Sequence, residues 1–440
     1  MSRSPGRGAR QGPNGRRPPA VAPVEVTIES LGARGDGIAQ HGGQKMFIPD
    51  ALPGERVVAR ITGRRGDGLA GEVLSLLQAA PGRQVPPCPH FGTCGGCALQ
   101  HLGTAEYATW KRMLLVDALA RVGVAEQTVA PLVRIPPGTR RRASFAIKLH
   151  KGGVALGFNA RASHDVVDLS RCPILVPSLE RIMAPLRGML PDVLSPGEEG
   201  EATITLTETG LDVLIVGEAR LDLFTRERLA AFAQTEDLAR LSWRLPRQAE
   251  PEPIALRRQP LITCGGVAIV PPPGAFLQPS VEGEAALVSL VMAAVGGGKV
   301  ADLFAGIGSF TFPLAAKATV LAVEGDEAAI GALRAAGNAA GPKFRIGTER
   351  RDLARRPLTG AELVGFDAVV FDPPRTGASA QSAALATSKV PLVVAVSCNP
   401  STLARDLATL RDGGYQVERV TPVDQFPWTA HLEAVAILRR

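Results

Sequence analysis

The chain has 440 residues, 45% of them hydrophobic, which allows two or three domains with proper cores. No apolar run reaches membrane-spanning length, so a helical membrane protein is excluded. Five arginines in the first twenty residues (Arg3, Arg7, Arg10, Arg16 and Arg17) meet no acid there, so the formal charge of +7 overstates how basic the rest of the chain is.

Residues 1–22 mix these arginines with Gly, Pro and Ser and lack the apolar stretch of a secretory signal. A disordered basic tail on a cytoplasmic protein is expected, suited equally to loose phosphate attraction and to solubilising the chain. Residues 23–78 change to short β-type runs (Val24 to Ile28, Lys45 to Pro49, Val57 to Ile61, Gly71 to Leu74) separated by turn residues. This pattern predicts a small closed or nearly closed β-barrel of the OB-like kind. Arg56, Arg60, Arg64 and Arg65 could line a face that tracks RNA, or could be an ordinary solvated surface.

Residues 79–271 form a predicted central α+β domain. It opens on Cys88-x5-Cys94-x2-Cys97 in a Pro/Gly-rich loop, and Cys172, followed by Pro173, is a fourth candidate ligand. Four thiolates suit a metal centre, and a Cys-Pro pair suits iron–sulfur ligation; zinc also fits, and disulfides are the weaker reading without a secretory signal. Cys264 reads as structural. A helix is predicted over 102–120, then strands Ser144 to Leu149, Val154 to Phe158, Ala202 to Leu206 and Leu211 to Val216, with helices Ser178 to Met189 and Arg226 to Gln234. Ala249 to Pro253 reads as a loop. Arg140, Arg141 and Arg142 at a strand entrance suit either a phosphate clamp or an exposed basic edge.

Residues 272–440 predict a C-terminal α/β, Rossmann-like domain. Lys299 to Leu303 is a strand leading to the turn Gly306-Ile307-Gly308, and the next strand ends at Glu324, which can accept from ribose hydroxyls. The third glycine of a dinucleotide fingerprint is replaced by Thr311, so a nucleoside without a pyrophosphate fits better. Asp352, after a strand at Phe344 to Ile346, is placed to meet an adenine amino group, with Phe304 as apolar cover. Two more strands end in Asp372-Pro373-Pro374-Arg375 and in Ser397-Cys398-Asn399-Pro400. The second delivers a cysteine to a helix N-terminus, where backbone N–H groups favour a thiolate, so Cys398 is positioned to be nucleophilic.

The combination Asp302-Leu303-Phe304-Ala305-Gly306-Ile307-Gly308, Phe371-Asp372-Pro373-Pro374-Arg375, Ser397-Cys398-Asn399-Pro400 and His431-Leu432-Glu433 resembles the S-adenosylmethionine-dependent RNA 5-methyluridine methyltransferases. The barrel resembles their TRAM module, and Cys88 to Cys97 their 4Fe-4S loop, so a class I methyltransferase fold is implied for the last domain. The resemblance implies Cys398 as nucleophile and Glu433 as proton-abstracting base. It places Gln278, Phe304, Ser309, Glu324, Asp352 and Asp372 around S-adenosylmethionine, and Cys88, Cys94, Cys97 and Cys172 on a 4Fe-4S cluster. Ser309 stands where the family commonly has Asn or Thr.

Carbon-5 of uracil is a poor nucleophile. Thiolate addition at carbon-6 makes an enolate that can attack a sulfonium methyl, after which a base must remove the carbon-5 proton. The uridine must leave its stack to expose both faces, and Phe276 could stack on it. The expected partner is RNA, 23S ribosomal RNA ahead of transfer RNA, acted on by a monomer. A cytosine carbon-5 methyltransferase and a non-enzymatic RNA-binding redox sensor are the competing readings. An adenine amino-group methylase would need an aromatic residue where Arg375 stands.

Overall fold

A computed structural model describes residues 22–248 and 250–440, so the basic tail expected over 1–22 lies, but for its last residue, outside the described residues. No described helix is long and apolar enough to cross a membrane. The chain divides into two compact units, residues up to 32 with 36–81, and residues 33–35 with 82–440.

The first unit is a single six-stranded sheet. Val24–Thr27 pairs with Arg56–Arg65, while Ser30–Leu31, two residues further on, pairs with Gly37–His41 at the opposite edge. One extended segment therefore borders both ends of the sheet and closes it, which removes the exposed edges that a small β domain must otherwise protect. Val26, Ile28, Met46, Ile48, Val57 and Ala59 fill its core. Three of the four barrel arginines have acidic partners: Arg56 pairs with Glu25, Arg60 with Glu72 at 2.6 Å and Arg65 with Asp36 at 2.7 Å. Arg64 is exposed.

In the second unit, residues 142–256 build a seven-stranded sheet in which Arg142–His150 lies between Gly153–Asn159 and Glu199–Thr207. Helices Pro177–Met189 and Leu223–Thr235 cover it. Three of its strands, Val166–Asp168, Arg240–Arg244 and Glu252–Leu256, were not foreseen, and the last overlaps the expected loop at Ala249 to Pro253. The acid and proline that suggested a loop sit at the sheet edge, where a proline is tolerated.

Besides a two-stranded sheet of Ile262–Cys264 and Val267–Ile269, an eight-stranded sheet runs in the order Ile346–Arg350, Ala318–Glu324, Gly298–Leu303, Ala368–Phe371, Leu392–Ser397, Glu433–Arg439, Gln416–Asp424, Val133–Arg134. The first five strands are parallel. Their near-continuous apolar runs reflect burial on both faces. Val300, Val370 and Val394 point towards helix Val281–Ala294, while Ala301, Val369 and Val393 point towards helices Thr104–Ala120 and Pro400–Asp412. Helix Thr104–Ala120 and strand Val133–Arg134, grouped by sequence with the central domain, thus belong to the C-terminal core. An apolar helix face shows that a helix is covered, not what covers it. The strand expected at Phe344 to Ile346 lies at Ile346–Arg350.

Candidate active site

The five parallel strands deliver Phe304, Glu324, Asp352, Asp372 and Cys398 to one sheet edge, where open α/β sheets place their ligands. Strand Glu433–Arg439 runs against Leu392–Ser397, with Ala434 opposite Ser397. It therefore brings its first residue, not its last, to that edge, and Glu433 arrives beside Cys398.

At the glycine turn, Phe304, Gly306 and Gly308 all have positive φ (60°, 56° and 106°). A Cβ on Gly308 would lie 2.6 Å from the Phe312 ring, so this close approach requires glycine. The Gly306 N–H donates to Glu324 Oε2 at 2.9 Å, and the Asp326 N–H to Glu324 Oε1 at 2.8 Å. Asp302 is buried behind the turn with Thr311 donating to one oxygen; the other has no hydrogen-bond partner among the described residues, and burial pushes the carboxyl up to about 7. Asp352 is exposed and accepts from the Ala354 N–H at 3.1 Å. An edge so rich in acceptors suits a cationic ligand bearing ribose hydroxyls.

Gln278 and Gln425 link two buried carboxyls. Gln278 Nε2 donates to Asp372 Oδ2 at 3.0 Å, while Gln425 Nε2 donates to Gln278 Oε1 at 2.8 Å and to Glu433 Oε2 at 2.9 Å. Burial pushes Asp372 up to about 7, against the Gln278 N–H. Burial and then the Asp372 charge push Glu433 up to about 8, against the Gln425 N–H and Arg375. Gln425 escaped the sequence reading because a lone glutamine eight residues before a candidate base carries no motif.

Cys398 is half-buried at the start of helix Pro400–Asp412, whose cap, Asn399, accepts from the Ser401 N–H at 3.0 Å. The helix N-terminus is not the largest influence on the thiol. Burial, then the charges of Glu433 and Asp372, push it up to about 11, with Arg375 pulling the other way. His431 keeps an exposed surface but is driven down to about 4 by partial desolvation and by Arg375, Lys111 and Arg140.

The three consecutive arginines are internal rather than a free phosphate clamp. Arg141 pairs with Glu284 at 2.8 Å and donates to the Gln278 carbonyl at 3.2 Å. Arg142 donates to the carbonyls of Ala275 at 3.1 Å and Gly274 at 3.2 Å, and Arg140 Nε to that of Arg142 at 3.1 Å. Together they fix the segment that carries Gln278 and the exposed Phe276, whose accessible surface is 69% of its maximum. Ser309 donates to Glu284, and the buried Cys264 thiol lies 4.0 Å from the same carboxylate.

Cys94 and Cys172 are buried, Cys88 and Cys97 half-buried. The Cys97 thiol feels the charges of the other three, and Arg140 those of Cys97 and Cys172. No group of three or more described His, Cys, Asp or Glu residues is arranged to hold a single metal ion. Four soft sulfurs beside a guanidinium are nevertheless a donor set that fits a thiolate-ligated centre.

Raised carboxyls make stability pH-dependent in a definite direction. The native protein keeps protons on Asp372 and Glu433 that the unfolded chain loses near pH 4, so this contribution is complete below about pH 4 and disappears as pH rises through about 7 to 8. Urea unfolding at about pH 5 and about pH 9 should show a larger loss for the wild type than for Asp372→Asn/Glu433→Gln. Equal losses would contradict the assignment.

A family model described as tRNA (Uracil-5-)-methyltransferase matches residues 345–440, and a TRAM domain model matches residues 22–74. An uncharacterised RNA methyltransferase of Brucella suis is 47% identical over 94% of this chain and 98% of its own length. The 23S rRNA (uracil(1939)-C(5))-methyltransferase RlmD of Chromohalobacter salexigens is 35% identical over 94% of this chain and 89% of its own. The fold is shared with Pyrococcus abyssi tRNA (uracil-54, C5)-methyltransferase, solved with S-adenosyl-L-homocysteine, at a TM-score of 0.74 and 22% identity over 94% of this chain and 100% of that one. Sheet, glycine turn, cysteine and sequence relationship lead to one conclusion: the chain belongs to the RNA uracil-C5 methyltransferases, a TRAM-bearing enzyme that uses S-adenosylmethionine.

Proposed function

We propose that the enzyme methylates carbon-5 of a uridine in 23S ribosomal RNA, with Cys398 as nucleophile and Glu433 as base. The observation that carries this reading is the antiparallel last strand, which sets Glu433 beside Cys398 on the edge that holds the glycine turn. The named ribosomal RNA relative favours that target. The family description and the shared fold keep transfer RNA as the second reading.

S-adenosylmethionine supplies an electrophilic methyl group on a sulfonium. Glu324, Asp352 and Phe304 would hold its nucleoside, and Gln278 and Asp372, already bonded to each other, would hold its other end; Ser309 would have to leave Glu284 to contribute. Burial and the two carboxyls push the Cys398 thiol up, so its proton leaves as the sulfur adds to carbon-6 of uracil, with Asp372 as acceptor so that Glu433 stays free to act as base. Electrons displaced towards the ring carbonyl return through carbon-5 to take the methyl group. Glu433 then removes the carbon-5 proton, and the electron pair restores the ring double bond and expels the Cys398 sulfur. A base held near neutral pH is matched to that task. Phe276 is available to stack on an extruded base.

Cys88, Cys94, Cys97 and Cys172 would hold a 4Fe-4S cluster, which would tie the 88–97 loop to the distant Cys172 segment. The TRAM-type barrel and the cysteine loop would each serve as an RNA-contacting module.

Cys398→Ala should lose methyl transfer by at least about 100-fold while still binding S-adenosylhomocysteine, as isotope transfer and calorimetry would show. Unchanged transfer removes the nucleophile assignment. Anaerobically purified protein should be brown and contain about four irons per chain; a colourless, iron-free preparation with stoichiometric zinc overturns the cluster. Deleting the gene should erase one 5-methyluridine from 23S RNA, and loss from transfer RNA alone would favour the second reading.

A further inference from the structure

Loop 425–432, between the last two strands, is fastened by groups that the reaction scheme does not use. Lys111, on helix Thr104–Ala120, has no exposed side-chain surface. Its Nζ donates to the carbonyls of Thr429 at 2.7 Å and Phe426 at 3.1 Å and to Tyr107 Oη at 3.2 Å, and pairs with Asp424 at 2.9 Å. Tyr107 Oη donates to Asp424 at 2.7 Å and accepts from the Trp428 N–H at 2.9 Å.

From the other side, the N–H groups of Ala98 and Leu99, directly after Cys97, donate to the Trp428 carbonyl at 2.8 and 3.2 Å. Trp428 itself has φ 60°, a conformation that a bulky residue keeps only where its surroundings fix it.

A buried ammonium is costly unless fully paired, and here much of its pairing is spent on the backbone of one loop. That loop begins at Gln425, whose amide holds Glu433, the residue that follows the loop. Gln425 also holds Gln278, so a displaced loop disturbs both contacts.

We propose that Lys111 is a positioning residue for proton removal: it pins loop 425–432 so that Gln425 keeps the Glu433 carboxylate on the carbon-5 proton. The inference rests on Glu433 being the base. Cys398 stands on a different loop and Gln278 keeps its own bond to Asp372, so losing Lys111 slows the breakdown of the covalent adduct far more than its formation.

The test uses the full chain with Lys111→Met combined with Asp424→Asn, which leaves no uncompensated charge, and the milder Tyr107→Phe. RNA carrying 5-fluorouridine with S-adenosylmethionine reports adduct formation and methyl transfer alone, because fluorine cannot leave carbon-5 as a proton. Uridine RNA reports the complete turnover. The double variant should form adduct within about twofold of the wild-type rate and lose about 10-fold or more in kcat, with KM unchanged. Tyr107→Phe should show the same split, more weakly, and carries the test if the double variant does not fold. Parallel loss of both rates, or wild-type turnover, overturns the proposal. Failure of the underlying reading looks different: wild-type protein would form no adduct, or Glu433→Gln would turn over normally.

Discussion

The site depends on one strand pairing. Had Glu433–Arg439 joined Leu392–Ser397 in parallel, Glu433 would lie at the far end of the sheet from Cys398. The antiparallel register, Ser397 opposite Ala434, converts two residues 35 positions apart in the chain into neighbours. Backbone hydrogen bonds along six paired positions hold that proximity, so it does not depend on a flexible loop.

Around this pairing, the pocket concentrates buried acid. Asp302, Asp372 and Glu433 are all raised towards neutral pH, mainly by burial, and the thiol between them is raised as well. A cation reduces the repulsion among these groups, so the site is prepared for a positively charged donor. The counter-charges already present serve other purposes: Arg141 holds Glu284, and Lys111 holds Asp424 and loop 425–432. Paired buried charge of this kind orients its neighbours more than it stabilises the fold.

Much of this was legible in the chain. The strand-turn-helix stretches around Gly306, Asp372 and Cys398 announce themselves through apolar runs that end in glycine, proline or a cap, because local chemistry fixes those turns. The resemblance named Glu433, but composition alone could not, since a glutamate before a strand is ordinary. Lys111 left a trace: it sits between Tyr107 and Leu115 at four-residue spacing on a buried helix face. Gln425, the inward turn of the three arginines and the sharing of helix Thr104–Ala120 with the last domain left none. Each is set by a partner more than a hundred positions away or by a side chain whose direction the sequence does not encode. The upward push on the thiol left no trace for a related reason: a helix N-terminus is visible in sequence, whereas two buried carboxyls beside it are not.

The central claim is a bond between one sulfur and a pyrimidine carbon. Its most direct measurement is peptide mass spectrometry of protein incubated with S-adenosylmethionine and RNA containing 5-fluorouridine. The account predicts a methylated fluorouridine nucleotide attached to the peptide that contains Cys398; an unmodified Cys398 peptide, or an adduct on another cysteine, would contradict it.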